Sequence, residues 1–347
     1  MWGNSLFDKA ISLTIFTTGC FPSQSLENIG VKVRDMEYQV SSLGVAKQGS
    51  SRNNLRRRQM SEAFWGYFFI LPQMIGLVAF ALIPLIMVFV YSANNWDGLG
   101  AFTFVGFQNY IDQFNSPDLH IALWNTLYYT ILTVPGGLIL ALLAALGLNN
   151  VRGKTVYRVI YFMPVVTSSV AVAVIWGWLL NSDFGLINVL LKDWFHIHGP
   201  GWITDSRFVL PSIALLSIWS SLGFNMIIFL AGLQGIPATY AEAARIDGAN
   251  RLQLFFGVTL PMLTPTLFFT TVLSVISSFQ VFDQAFVLTG GGPGKDSYTI
   301  VYHMYHLAFE QNQFGEASSA AVILFAILLV LTLLQLGFQR RWVTYDV

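Results

Sequence analysis

Residues 316–339 read EASSAAVILFAILLVLTLLQLGFQ, and after Glu316 no acidic or basic side chain interrupts them. A helix needs about 20 such residues, at 1.5 Å each, to cross about 30 Å of hydrocarbon. Five further stretches meet the same test, at about 64–92, 120–149, 159–181, 208–235 and 259–285, and none has a Lys or Arg in its interior. A soluble helical core can supply apolar runs, but not six of this length without a charged face. The expected fold is therefore all-α, a polytopic membrane protein with six transmembrane helices. Prolines within or near the runs (Pro72, Pro84, Pro135, Pro164, Pro211, Pro265) fit a membrane bundle, where neighbouring helices satisfy the freed backbone groups.

Composition agrees. The 347 residues are 54% hydrophobic and 10% charged, against about 25% charged in soluble domains. The net charge of zero gives no reason to expect nucleic acid as a partner. A lone cysteine, Cys20, excludes an internal disulfide framework and a cysteine-based zinc site. Orientation follows from the basic residues, which stay on the cytoplasmic side. Eleven of them (Arg52, Arg56, Arg57, Arg58, Arg152, Lys154, Arg158, Arg245, Arg251, Arg340 and Arg341) flank the runs on one side, against Lys192, Arg207 and Lys295 on the other. Both termini are expected in the cytoplasm, with the longer loops near 93–119, 182–207 and 286–315 facing outward.

Residues 1–60 stand apart. Their one apolar run, Ala10 to Phe16, is too short to span, and Thr17-Thr18-Gly19-Cys20 is a poor lipid-attachment site. They read as a cytoplasmic extension, disordered or translated from upstream of the true start, ahead of a membrane domain at 61–347.

The runs hold almost no ionisable groups, so an ion-coupled carrier would lack its relay. Asp283 and Glu316 fall at the expected outer ends, Asp283 reading as a rim residue. No G-x-x-x-x-G-K-[ST] loop is present to cradle ATP phosphates. Nothing points to an enzyme, a metal or a bound cofactor. Any energy for transport would come from a partner, although a passive channel stays open on these grounds.

The most informative connection spans about 236–261. Thr239 and Glu242 have capping-box spacing, Ala243 and Ala244 are small helix formers, and Gly248 suits the left-handed position past a helix end. Asn250 followed by Gln253 can open a second helix. Two readings fit this loop: an amphipathic segment at the lipid headgroups, or a docking knob for a cytoplasmic partner.

Glu242-Ala243-Ala244, then Gly248, then Val258-x-Leu260-Pro261 resembles the EAA loop of ABC-importer permeases, with Val258 in place of the usual Ile. Ala231 to Pro237, Ile246 to Ala249, Phe104 to Tyr110, Asn125-Thr126-Leu127, Phe184 to Asn188, Thr289 to Gly294 and Phe314 to Ser318 are similar to the carbohydrate-uptake (MalF/UgpA-like) branch. The resemblance covers about 60–347. It implies the type I ABC-importer permease fold in a bacterial inner membrane. The implied partners are a second, homologous permease, two copies of a cytoplasmic ATPase subunit that binds the ATP, and an extracellular or periplasmic solute-binding protein. It implies that Glu242, Ala243, Ala244, Arg245, Asp247, Gly248, Ala249, Leu260 and Pro261 form the ATPase-coupling loop, with Glu242 capping it. The cargo it implies is a sugar, an oligosaccharide or sn-glycerol 3-phosphate.

Neutral polyols are held by hydrogen-bonding side chains and aromatic faces. The fourth run offers Ser220, Ser221, Phe224 and Asn225. The fifth offers Ser274 and Ser278 one helical turn apart, Phe282 a further turn along, and Ser277 and Gln280 on an adjacent stripe. Serine and asparagine also glue membrane helices together, so each of these positions carries that second reading.

Overall fold

The structure, a computed structural model, describes residues 51–149 and 151–342. The rest of the expected extension, 1–50, lies outside the described residues. The chain divides into two units, Met1–Ala81 and Leu82–Val347. The described part of the first carries helix α1 (Ser51–Leu77), with Pro72 inside it, so helix begins well before the expected boundary at 61.

The second unit is almost wholly helical. In order come α2 (Ile83–Ser92), α3 (Gln108–Asn115), α4 (Pro117–Asn149), α5 (Lys154–Val166), α6 (Ser169–Leu179), α7 (Leu186–Phe195) and α8 (Val209–Gly235). There follow α9 (Ala238–Ile246), α10 (Arg251–Met262), α11 (Thr264–Phe279), α12 (Asp283–Thr289), α13 (Ile300–Tyr305) and α14 (Phe314–Trp342). One antiparallel hairpin, β1 (Asn94–Asn95) with β2 (Thr103–Phe104), lies between α2 and α3.

Among the described residues, four uninterrupted stretches are long and apolar enough to cross a membrane: Glu62–Ser92, Pro117–Asn149, Val209–Gly235 and Phe314–Gln339. The third and fifth expected spans are not straight. Helices α5 and α6 meet at 95°, and α10 and α11 at 65°, giving six spans if each bent pair counts as one. The first break lies just past Pro164. Pro164 lacks the N–H that would close a helical turn, and Thr167 and Ser168 take extended conformations, with ψ of 144° and 127°. The Thr167 hydroxyl then donates to the Met163 carbonyl at 2.9 Å, satisfying a loosened acceptor. At the second break Pro265 sits in the first turn of α11, where a missing N–H costs nothing. The fifth span also ends early: helix stops at Phe279, and Asp283 opens the separate α12.

The main seam joins α4 to α8. Val134, Leu138, Ala141 and Ala145 of α4 pack on Met226, Phe229 and Leu230 of α8, with Leu263 closing one end. Inside a bilayer such a seam gains little from the hydrophobic effect and depends on close packing, which small residues permit. Gly223 shows the same need where α8 crosses α5: a Cβ there would lie 2.0 Å from the Tyr161 carbonyl oxygen.

Loops are stapled by asparagine. Asn109 donates to the Ser92 and Asn94 carbonyls, both at 2.9 Å. Asn125 donates to those of Lys295 and Tyr298, at 2.8 and 3.1 Å. Asn188 donates to those of Ser182 and Pro200 and accepts from Trp202. Asn109 and Asn125 tie the loops at 93–119 and 286–315 to neighbouring helices, and Asn188 closes the loop at 182–207 on itself.

A buried relay lies beside them. Gln113 donates to Glu316 at 3.0 Å and accepts from His303 Nε2 at 2.8 Å, while the Tyr298 hydroxyl lies 3.2 Å from His303 Nδ1. Because Gln113 Oε1 can only accept, the proton sits on Nε2 and Tyr298 donates to Nδ1. Burial holds the His303 imidazole down at a pKa of about 4 and pushes the Tyr298 hydroxyl up. The unfolded chain binds a proton near the ordinary histidine value of about 6.5, so folded stability falls as pH drops from about 6.5 toward about 4, by on the order of 3 kcal/mol. Melting temperatures in detergent at pH 7.5 and 4.5 check this: the drop is smaller in His303→Gln, and an equal drop in both proteins contradicts the assignment to His303.

Candidate functional site

The bent spans make room for a cavity. It measures about 470 Å³ and lies among α4, the α5–α6 break, α8, α11 and the start of α12. Small-molecule sites commonly occupy about 300–1,000 Å³. Its wall includes all seven residues expected along a solute path: Ser221, Phe224, Asn225, Ser274, Ser278, Gln280 and Phe282, together with Ser220 and Ser277. Phe282 arrives there by a different route from the one its spacing suggests. It is no longer on α11, and its ring stacks on Phe286 at 5.1 Å between centroids.

The wall residues differ in how their polar atoms are engaged. The Ser278 hydroxyl lies 3.0 Å from Thr130 Oγ1 and 2.8 Å from the Val275 carbonyl, so it joins α11 to α4. That is the gluing role. Ser217 donates to its own helix at the Ile213 carbonyl. Asn225 is only 7% exposed, yet its amide has no side-chain hydrogen bond among the described residues. The amide is not among the fully buried unpartnered atoms, so it opens onto the cavity, and its hydrogen-bonding capacity is left for whatever enters there. Ser274 and Gln280 are likewise free among the described residues.

Three wall features were not legible in the sequence. Thr167 and Ser169 reach the cavity only because the third span breaks between them. Asp283 is not peripheral as expected: it is half-buried, lines the cavity and accepts a hydrogen bond from Ser169. No periodicity announces either contact, because both depend on a bend.

The connection after α8 forms a separate protrusion. Helix α9 begins at Ala238, with Pro237 in an extended conformation at its N-cap, and no side chain caps it. The expected Thr239–Glu242 capping box is therefore absent: Thr239 is already inside the helix. The cap assigned to Glu242 is absent with it, and Glu242 is exposed mid-helix. The far end matches expectation. Gly248 has φ +86°; its N–H donates to the Arg245 carbonyl at 3.1 Å and that of Ala249 to Ala244 at 2.9 Å, the two bonds of a Schellman ending. Asn250 and Gln253 then form a complete reciprocal capping box that starts α10. Ala243, Arg245 and Asp247 are exposed, while Ala244 and Ala249 are half-buried. Leu260 and Pro261 lie half-buried where α10 nears the second break. Ile246, at 86% exposure, and Leu252, at 70%, project from the protrusion.

Comparison with known proteins fits this architecture. The family described as "Binding-protein-dependent transport system inner membrane component" matches residues 133–344. The probable ABC transporter permease protein YesP of Bacillus subtilis (strain 168) is 36% identical over 286 residues, 81% of this chain and 92% of that protein. The multiple sugar-binding transport system permease protein MsmF of Streptococcus mutans serotype c is 33% identical over 287 residues, 82% and 98% respectively. In fold, the chain superposes with TM-score 0.73 on a chain of a bacterial alginate ABC transporter crystallised with an alginate pentasaccharide-bound periplasmic protein. That match is 24% identical and covers 84% of this chain and 99% of that one. The chain is a member of the binding-protein-dependent transport system inner membrane component family, an ABC-transporter permease with the type I fold and not an enzyme.

Proposed function

We propose that this chain forms half of the pathway of an ATP-driven importer for a sugar-type solute and receives mechanical work through the protrusion at 236–261. A second permease completes the pathway, two ATPase subunits grip the protrusions, and an external binding protein delivers cargo. The surplus of basic residues supports a cytoplasmic position for both termini and for the protrusion.

One observation carries the reading. The protrusion is rigidly ended on both sides of its bend, by the Gly248 reversal and the Asn250–Gln253 box, yet presents Ile246 and Leu252 to solvent. A stiff element with bare apolar side chains fits a lever seated in another protein's groove. The sugar-transport name of MsmF supports the cargo class. The rival, an ion-coupled carrier working alone, gains no support from relatives named as components of larger transport systems.

Cysteine cross-linking tests the docking. With Cys20 replaced by Ser, Ile246→Cys is expected to cross-link to a co-expressed cytoplasmic ATPase, while a cysteine at exposed Trp194 is not. Equal adducts from both positions, or none from Ile246→Cys, refute it.

A further inference from the structure

The cavity wall has a lopsided charge inventory. Among the described residues it holds no Lys, Arg or His, and its one charged side chain is Asp283. Taking an anion out of water is expensive unless a cation or an array of donors receives it, and phosphate or carboxylate recognition normally recruits Arg, Lys or a helix N-terminus.

The cavity does have one such N-terminus. Helix α6 restarts at Ser169, after the 95° break, with its first residue in the cavity wall. Half-helix starts of this kind supply the positive end that receives anionic groups in transporters. Here an acid already stands beside that end, because the Ser169 hydroxyl donates to the Asp283 carboxylate. The positive end of the broken span is answered by the chain's own acid. What remains free is neutral: the unpartnered Asn225 amide, Ser274, Gln280 and the ring of Phe224.

We infer that this subunit's cavity takes uncharged, polyhydroxylated cargo and turns away phosphorylated or uronate-bearing molecules. The inference rests on the pathway reading above and narrows it, setting sn-glycerol 3-phosphate aside. Hydroxyl groups can donate to Asn225 and Gln280 oxygens and accept from their amides, and a sugar ring can lie on Phe224. A phosphate or uronate group would meet a carboxylate and no counter-charge from this subunit.

Equilibrium dialysis tests it, using the full chain with its co-purifying subunits in lipid nanodiscs. The probes are labelled neutral trisaccharides (maltotriose, cellotriose and raffinose), trigalacturonate and sn-glycerol 3-phosphate. At least one neutral trisaccharide is expected to bind saturably, at least about tenfold more tightly than either anion. Asn225→Leu should weaken that binding. Gln280→Lys, at an exposed position in the wall, should improve trigalacturonate binding about tenfold by supplying the missing cation. An anion that binds wild type as tightly as the neutral sugars, and loses binding in Asn225→Leu, overturns the charge selection and leaves the pathway reading standing. Neutral binding unchanged in Asn225→Leu, or no binding by any probe, overturns the pathway reading and the inference together.

Discussion

Gly248→Val is expected to reduce solute uptake to background while the protein still reaches the membrane in normal amount. Gly248 has φ +86°, a left-handed conformation that costs an L-residue about 1–2 kcal/mol and a β-branched one more. Chain neighbours aside, no atom lies within 4 Å of where its Cβ would stand, and the residue is exposed, away from the packed seams of the bundle. What the substitution disturbs is the reversal that lets Ala249 donate to Ala244, and with it the direction in which α10 leaves α9. Glu242→Lys, which reverses an exposed charge on α9, should act the same way. Uptake by reconstituted transporter, beside an immunoblot of the membrane fraction, checks both. Normal uptake by both would sink the docking proposal.

Gly223→Val should instead remove the folded protein. The position is buried at the crossing of α8 and α5, and an added Cβ would approach the Tyr161 carbonyl oxygen to 2.0 Å and the Phe162 Cα to 2.9 Å. Both obstacles are backbone, which cannot swing aside as a flexible side chain can. Overpacking commonly costs about 1–3 kcal/mol; against rigid backbone we expect more than about 3 kcal/mol. The obstacle is the Cβ itself, so Gly223→Ala should already be damaging. Gly235→Ala is the matched control, with nothing within 4 Å. Monodispersity in detergent and melting temperature separate the three, and a Gly223→Val protein as stable as Gly235→Ala contradicts the packing account.

Much of this architecture was legible because membrane crossing demands long apolar runs, and six such runs are unmistakable. Their bends were not. Prolines 164 and 265 could be seen, but a proline in a bundle is as compatible with a straight span as with a broken one. What decides the matter at the first break is that Thr167 and Ser168 go extended, a choice made by tertiary surroundings. The same bends hid Asp283 and Ser169. A rim position deduced from run length became a wall position once the fifth span stopped at Phe279.

The protrusion shows the limits of short motifs. Thr239-x-x-Glu242 and Asn250-x-x-Gln253 have the same spacing, and only the second forms a box, because Pro237 fixes the start of α9 two residues before Thr239. Conversely, Phe104 to Tyr110, Asn125-Thr126-Leu127 and Phe184 to Asn188 carried family likeness without a physical account. Each contains an asparagine whose amide bridges two backbone carbonyls, which explains why that residue type stands there. The Asn125 partners lie 170 and 173 residues along the chain, and such a pairing leaves no local pattern to read.

The whole account depends on work entering the bundle from a separate motor. The most direct measurement is solute accumulation in sealed proteoliposomes made with this chain and a second permease, with and without the ATPase subunits, under ATP and with the binding protein present. We predict accumulation only with the ATPase subunits, and its loss in Gly248→Val. Accumulation of equal extent without any ATPase subunit would contradict the account.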